Sequence, residues 1–208
     1  MLRVGLTGSI GVGKSFVAKV LAESGCHVLD ADHLAREIVR KGTPGLGAVV
    51  KAFGEEVLRE DGELDRVRLG AIVFADESKR ALLNSMLHPF IIAAQDEQLR
   101  RWEDQYARGI AVVDAALMIE SGGYTRFDKL IVVHCRPELQ LERLMARNNF
   151  TCEEAKRRIS AQMPQEEKLR YADYTIDTSE GFANARQQTE EVYRQLQLLI
   201  DDEAKPLR

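Results

Sequence analysis

Cysteine is scarce in this 208-residue chain: Cys26, Cys135 and Cys152 are an odd number and form no Cys-x-x-Cys pair. That argues against a disulfide framework and against a zinc site, and it fits thiols kept reduced in a cytoplasm. Long apolar runs are missing too, and none approaches the ~20 residues a membrane-spanning helix needs. The opening Met1-Leu2-Arg3-Val4 passes straight into a strand pattern, so no leader peptide is expected. Positive charge is not in excess. The formal net charge is −4, from 29 Lys and Arg against 33 Asp and Glu, so nucleic-acid binding through a broad basic surface is not expected. The dipeptide Asn-Lys does not occur, which removes the Asn-Lys-x-Asp signature that a guanine-binding switch should carry. Repeats and low-complexity segments are also absent. The remaining composition, 45% hydrophobic and 30% charged, is that of an ordinary globular chain, and the length suits one core domain with insertions.

What is present begins at Gly8. The segment Gly8-Ser9-Ile10-Gly11-Val12-Gly13-Lys14-Ser15 is a complete phosphate-binding loop, G-x-x-x-x-G-K-[ST]. Residues 2–7 before it read as a short buried strand. After it, Phe16, Val17, Val20 and Leu21 recur at helical spacing, so the loop lies between a strand and a helix N-terminus. The glycines let successive N–H groups turn into one concavity, and the helix that follows adds the partial positive charge of its N-terminus. Lys14 brings a compact ammonium to the β- and γ-phosphates, and the Ser15 hydroxyl can ligate Mg²⁺. The motif therefore points to a nucleoside triphosphate with Mg²⁺.

Further strands are predicted at residues 26–30, 110–113 (ending at Asp114), 129–134 and, more weakly, 174–177. The first four strands are apolar and separated by helical patterns, the mark of a parallel sheet covered by helices on both faces. Ligands of such sheets bind beyond the carboxyl ends of the strands, so Thr7-Gly8, Asp30-Ala31-Asp32, Asp114 and His134-Cys135-Arg136 should converge. Between Asp32 and Ile110 the pattern predicts only helices: 32–40, 44–53, 65–74 and 78–101, the last broken near Pro89. This insertion is either a substrate-holding subdomain or plain crossover packing. Residues 137–170 form a second helical stretch. From Arg136 to Arg170 it carries eight basic side chains against six acidic ones. Arg143 and Arg147, four apart, share a helical face, so the stretch is either a solvated helix of mixed charge or a lid that brings arginine to phosphate. A last helix, 182–200, carries an apolar stripe and reads as structural.

A kinase for a small molecule also needs a carboxylate near the γ-phosphate, cations for the transferring group and closure against water. Asp32, at the end of the second strand, is either that carboxylate or the N-cap of the next helix. Asp114 follows Ile110-Ala111-Val112-Val113, a Walker-B-like string that suits Mg²⁺ held through water. His88, beside Pro89 at the expected helix break, reads on its own as a core or capping side chain. Glu120 follows Leu117-Met118-Ile119 after the third strand and is placed to reach the crevice. Trp102 reads as a packing residue.

Taken in order, these motifs resemble the dephospho-CoA kinase family nearly end to end. The resemblance rests on Leu6 to Ser15, on Val28-Leu29-Asp30-Ala31-Asp32, on Leu87-His88-Pro89 and on Leu117-Met118-Ile119-Glu120. It continues through Gln140-Leu141-Glu142-Arg143-Leu144-Met145-Ala146-Arg147, Arg158-Ile159-Ser160-Ala161-Gln162, Lys168, and Ala172 to Asp177. Ala116, Phe16 and Thr178 depart from the family's usual Pro, Thr and Asn. The resemblance implies an α/β fold: a P-loop kinase core with a five-stranded parallel sheet, and helical CoA-binding and lid subdomains. On that reading 1–32, 110–136 and 172–208 form the nucleotide-binding core, 33–109 the acceptor region and 137–171 the lid of a single kinase-like domain. The implied reaction transfers the ATP γ-phosphoryl group to the ribose 3′-hydroxyl of dephospho-CoA. Asp32, Lys14 and Arg143 would be catalytic. Gly8, Gly11, Val12, Gly13, Lys14, Ser15, Phe16, Arg143 and Arg147 would hold ATP. Asp32, His88, Pro89, Leu117 and Glu120 would hold the acceptor. Ser15, and Asp114 through water, would serve Mg²⁺. The expected partners are ATP and dephospho-CoA, with no nucleic acid and no membrane, and monomer and homo-oligomer stand equally open. The rival readings are another P-loop small-molecule kinase and a nucleotide switch.

Overall fold

Five short segments become five parallel strands; the central β1, β3 and β4 are Val/Ile/Leu runs with nowhere to put a polar face, while the edge segments are shorter and more polar. In the computed structural model, which describes residues 1–203, these are β1 (Leu2–Thr7), β2 (His27–Asp30), β3 (Ile110–Asp114), β4 (Lys129–His134) and β5 (Tyr174–Asp177). The sheet order is β2-β3-β1-β4-β5, and every pairing is parallel. All five residues of β3 are buried, as its unbroken Ile-Ala-Val-Val run requires. The register sets Asp30 of β2 opposite Asp114 of β3, and Asp114 opposite Leu6 of β1. The strand ends that matter for chemistry therefore lie level. The chain leaves β1 toward β2 and leaves β4 toward β5, so the crevice of this sheet opens outside the carboxyl ends of the adjacent strands β1 and β4.

Two compact units emerge along the chain. One comprises residues 1–30 and those from 102 onward, and the other residues 31–101. The first holds the sheet with α1 (Lys14–Glu23), α6 (Pro137–Asn148), α7 (Cys152–Ser160), α8 (Gln165–Leu169) and α9 (Gly181–Glu203). Its core joins Val4 and Leu6 of β1, Val17 and Leu21 of α1, Ile131 and Val133 of β4, Ile176 of β5 and Leu196 of α9. Burial of Cys26 in that core pushes its thiol pKa up to about 12, which makes it an inert packing residue.

The second unit contains α2 (Ala31–Glu37), α3 (Pro44–Phe53), α4 (Arg66–Ala75) and most of α5 (Glu77–Gln105). It has its own core, built from Val39, Leu46, Val49, Phe53, Val57, Leu64, Leu69 and Val73. Local signals set its helix starts. Thr43 caps α3 by accepting from Leu46 N–H at 3.2 Å, ahead of Pro44 at the first helical position. Asp65 caps α4 by accepting from Val67 and Arg68 N–H.

Three expectations need correction. α5 is one helix of 29 residues with Pro89 inside it, not two helices broken there. Pro89 lacks the N–H that would bond the Ser85 carbonyl, and both residues are exposed, where losing one helical hydrogen bond costs least. The 137–170 stretch is three helices. The first of its breaks is at Asn149, which takes φ 52°, the left-handed cap conformation asparagine tolerates. The helix after β2 starts at Ala31, so Asp32 stands in its first turn and not at its N-cap. No helix of the described residues is long and apolar enough to cross a membrane.

Candidate active site

The loop between β1 and α1 is held from three sides, and each contact follows from a residue type. Gly13 takes φ 89° as the N-cap of α1, a backbone state that disfavours any side chain. At Gly8 a Cβ would lie 2.5 Å from the Val133 carbonyl, so only glycine lets β4 approach so closely. Thr178, after β5, donates from Oγ1 to the Val12 carbonyl at 2.7 Å. Gln140 of α6 donates to the Ile10 carbonyl at 2.7 Å, and Gln162 accepts from the Ile10 N–H at 2.7 Å. Gln165 then donates to Gln140 at 2.8 Å and accepts from Cys135 N–H at 3.0 Å. Three glutamines thus hold the first half of the loop on both its donor and acceptor sides. Glutamine is suited to this because its amide offers both functions at one terminus.

The charged groups gather at the same place. Lys14 is ion-paired and hydrogen-bonded to the Asp114 carboxylate, and both side chains are largely buried, at 14% and 9% exposed. Arg143 lies against the loop as well. Its guanidinium donates to Thr178 Oγ1 at 2.8 Å and to the Thr178 carbonyl at 2.9 Å. The departure of Thr178 from asparagine is therefore structurally absorbed, since one hydroxyl serves both Val12 and Arg143. Ser15 is exposed in the first turn of α1. Phe16 packs on Phe182 with ring centroids 4.7 Å apart.

Glu120 is not free. Lys168 Nζ lies 2.8 Å from its Oε1 and donates to its Oε2 at 3.0 Å and to the Ala116 carbonyl at 2.8 Å. Met163 N–H also donates to Glu120, at 3.2 Å. The group that Ala116 offers is its backbone carbonyl, so the alanine-for-proline departure leaves this contact in place. Leu117, next in the loop, is 52% exposed.

The structure therefore brings Gly8, Gly11, Val12, Gly13, Lys14, Asp114 and Arg143 together. It does not bring in Arg147, which is exposed and donates to its neighbour Asn148 at 2.9 Å. Sharing a face with Arg143 was not enough, because Asn148 competes for its guanidinium. His88 and Pro89 are exposed on α5, and Asp32 is exposed on α2; all three belong to the 31–101 unit. Sequence reasoning gave no role to Gln140, Gln162, Gln165, Lys168 or Thr178. The first, second and fourth stand inside motifs that carried the resemblance, but nothing in a linear pattern marks a lysine for burial.

Comparison with known proteins shows the family. A family model described as Dephospho-CoA kinase matches residues 2–184. The chain is 43% identical over 198 residues to the dephospho-CoA kinase of Bacillus thuringiensis subsp. konkukian, covering 94% of this chain and 98% of that protein. It is 45% identical over 177 residues to the dephospho-CoA kinase of Streptomyces avermitilis, covering 85% of each. The solved structure of dephospho-CoA kinase from Campylobacter jejuni matches with a TM-score of 0.71 at 30% identity, over 97% of this chain and 98% of that one.

Proposed function

The chain belongs to the dephospho-CoA kinase family, whose members phosphorylate dephospho-CoA with ATP in the last step of coenzyme A biosynthesis, and on that premise we propose how its residues divide the reaction. It is an ATP-dependent kinase acting on dephospho-CoA. The observation that carries the assignment of roles is the Lys14–Asp114 pair at the mouth of the phosphate loop, with Arg143 seated on the same loop.

ATP lies on the loop with its phosphates against the N–H groups of Gly11 to Phe16. Lys14 holds the γ-phosphate, exchanging the Asp114 carboxylate for a phosphate oxygen as its anionic partner. The ribose 3′-oxygen of dephospho-CoA attacks the γ-phosphorus, the bond to the β,γ-bridging oxygen breaks, and ADP leaves. Asp32 takes the proton of the attacking hydroxyl. Arg143 neutralises the transferring phosphoryl group from the lid side. His88, Pro89, Leu117 and Glu120 hold the acceptor. Arg147 joins the nucleotide only by leaving Asn148. Ser15, through its hydroxyl, and Asp114, through water, would hold Mg²⁺, a donor set of hard oxygens that suits this cation. Mg²⁺ bound with ATP supplies neutralisation of phosphate charge. Residues 31–101 serve as the acceptor-holding unit and α6 to α8 as the lid. Buried Cys26 and Cys135, both free thiols, fit a cytoplasmic home.

The test is ADP release from Mg²⁺-ATP with and without dephospho-CoA, with the product weighed by mass spectrometry. Strong stimulation with CoA formed is the expected result, and ADP release indifferent to dephospho-CoA would overturn it. A second expectation concerns Arg143. Arg143→Met should lower kcat by about 10²–10³ with little change in KM for dephospho-CoA, because the charge it meets develops during transfer. A loss confined to KM for ATP would make Arg143 a ground-state contact instead.

A further inference from the structure

Lys168 is the side chain this fold has least obvious reason to contain. It lies on α8, a helix of five residues, with its side chain 0% exposed. Lysine is almost never fully buried unless its charge is met, and here it is met by three oxygens: the Ala116 carbonyl and both oxygens of the Glu120 carboxylate. The two partners differ in access. Lys168 is sealed off, while the Glu120 side chain is 23% exposed, so of the two side chains only that of Glu120 is open to a ligand.

The pair also sits at a junction. The Ala116 carbonyl accepts from Thr7 Oγ1 at 3.2 Å as well as from Lys168, and Thr7 is the last residue of β1 before the phosphate loop. Glu120 accepts from the Met163 N–H in the segment between α7 and α8. One ammonium thus ties α8 to the 116–120 loop and to the root of the phosphate loop. Burial lowers the Lys168 pKa, Glu120 opposes that through its hydrogen bond and charge, and the nearby Lys14 charge adds to the lowering.

We propose that Lys168 is a positioning residue for the acceptor: its buried ammonium fixes Glu120 and the 116–120 loop so that the exposed carboxylate edge accepts a hydrogen bond from a hydroxyl or amino group of the acceptor nucleotide. This rests on the reading of Glu120 as an acceptor-binding residue. A plain structural strut would need only volume and neutrality at this position, whereas a positioning role needs the charge and acts through Glu120.

The experiment is a double-mutant cycle on the full-length enzyme, with KM for dephospho-CoA, KM for ATP and Tm measured for Glu120→Gln, Lys168→Met and the pair of changes together. Each single variant should raise KM for dephospho-CoA about tenfold, the loss of one charge-assisted hydrogen bond, with KM for ATP within about twofold. The double variant should match Glu120→Gln, at about tenfold and not about a hundredfold, because both changes remove one interaction. Its Tm should exceed that of Lys168→Met, which leaves Glu120 without its cation. Multiplying effects, or a Lys168→Met enzyme with lowered Tm and normal KM, would overturn the proposal. A normal KM in Glu120→Gln would instead sink the reading of Glu120 itself. Should Lys168→Met not fold, Lys168→Gln keeps a donor for the Ala116 carbonyl and must show a raised acceptor KM; a normal value overturns the positioning role.

Discussion

Lys14→Met is expected to lower kcat about a thousandfold while KM for ATP changes far less, because the loop N–H groups that bind the phosphates are untouched and only the fixed cation on the γ-phosphate is lost. The structure sharpens this expectation. Lys14 is engaged by Asp114 in a largely dry environment, so the ammonium is held desolvated and oriented at the loop. A group that is preorganised in this way pays little reorganisation when charge develops on the γ-oxygens. The same pairing predicts a structural cost, since methionine leaves the Asp114 carboxylate buried without this cation. Breaking such a pair typically costs about 3–5 kcal/mol. Asp114 has further interactions, which should put the loss toward the lower end of that range. Single-turnover kinetics on folded variant would separate the two effects. A normal rate of phosphoryl transfer in Lys14→Met would refute the assignment of Lys14, whatever the change in Tm.

How much of this was legible beforehand depends on whether a feature is local. The first four strands were readable, because an apolar run between turn signals has few other fates; the more polar 174–177 was readable only weakly, and the phosphate loop was readable as a linear motif. The helices that start at Pro44 and Arg66 were readable to within a residue, as 44–53 and 65–74, while their caps Thr43 and Asp65 emerged only in the fold. Pro89 misled, because the rule that proline ends a helix weighs one lost hydrogen bond heavily, and on this exposed face of a 29-residue helix that loss is tolerated. Arg147 shows a related limit: helical spacing places a Cα on a face but does not choose among the partners a long side chain can reach, here Asn148. The glutamine lattice around Ile10 and the Lys168–Glu120 pair were invisible for a deeper reason. Their partners lie far apart in sequence, 152 positions for Gln162 and Ile10 and 48 for Lys168 and Glu120, so only the folded sheet brings them together.

Asp32 is the residue on which the catalytic reading is most exposed to test. Asp32→Asn should lower kcat by about 10²–10⁴ if its carboxylate takes the acceptor proton, and it should leave nucleotide affinity near normal. The position of Asp32 makes the result interpretable. It is an exposed first-turn residue of α2, one place beyond the first helical residue Ala31, so its structural contribution is limited to an interaction with the helix N-terminus. That interaction is worth about 0.3–1 kcal/mol, enough to shift Tm by a few degrees and far too little to explain a fall of several decades in kcat. Asparagine keeps the size and hydrogen-bonding reach of the side chain, so a large loss isolates the charge. The β2 end carries two aspartates, and Asp30 is a natural control. It lies in the strand, opposite Asp114, and the roles proposed here give it no proton to take. If Asp30→Asn lost the larger share of kcat, the base would have to be moved to Asp30, and α2 would retain Asp32 only as an acidic residue favourably placed at its N-terminus.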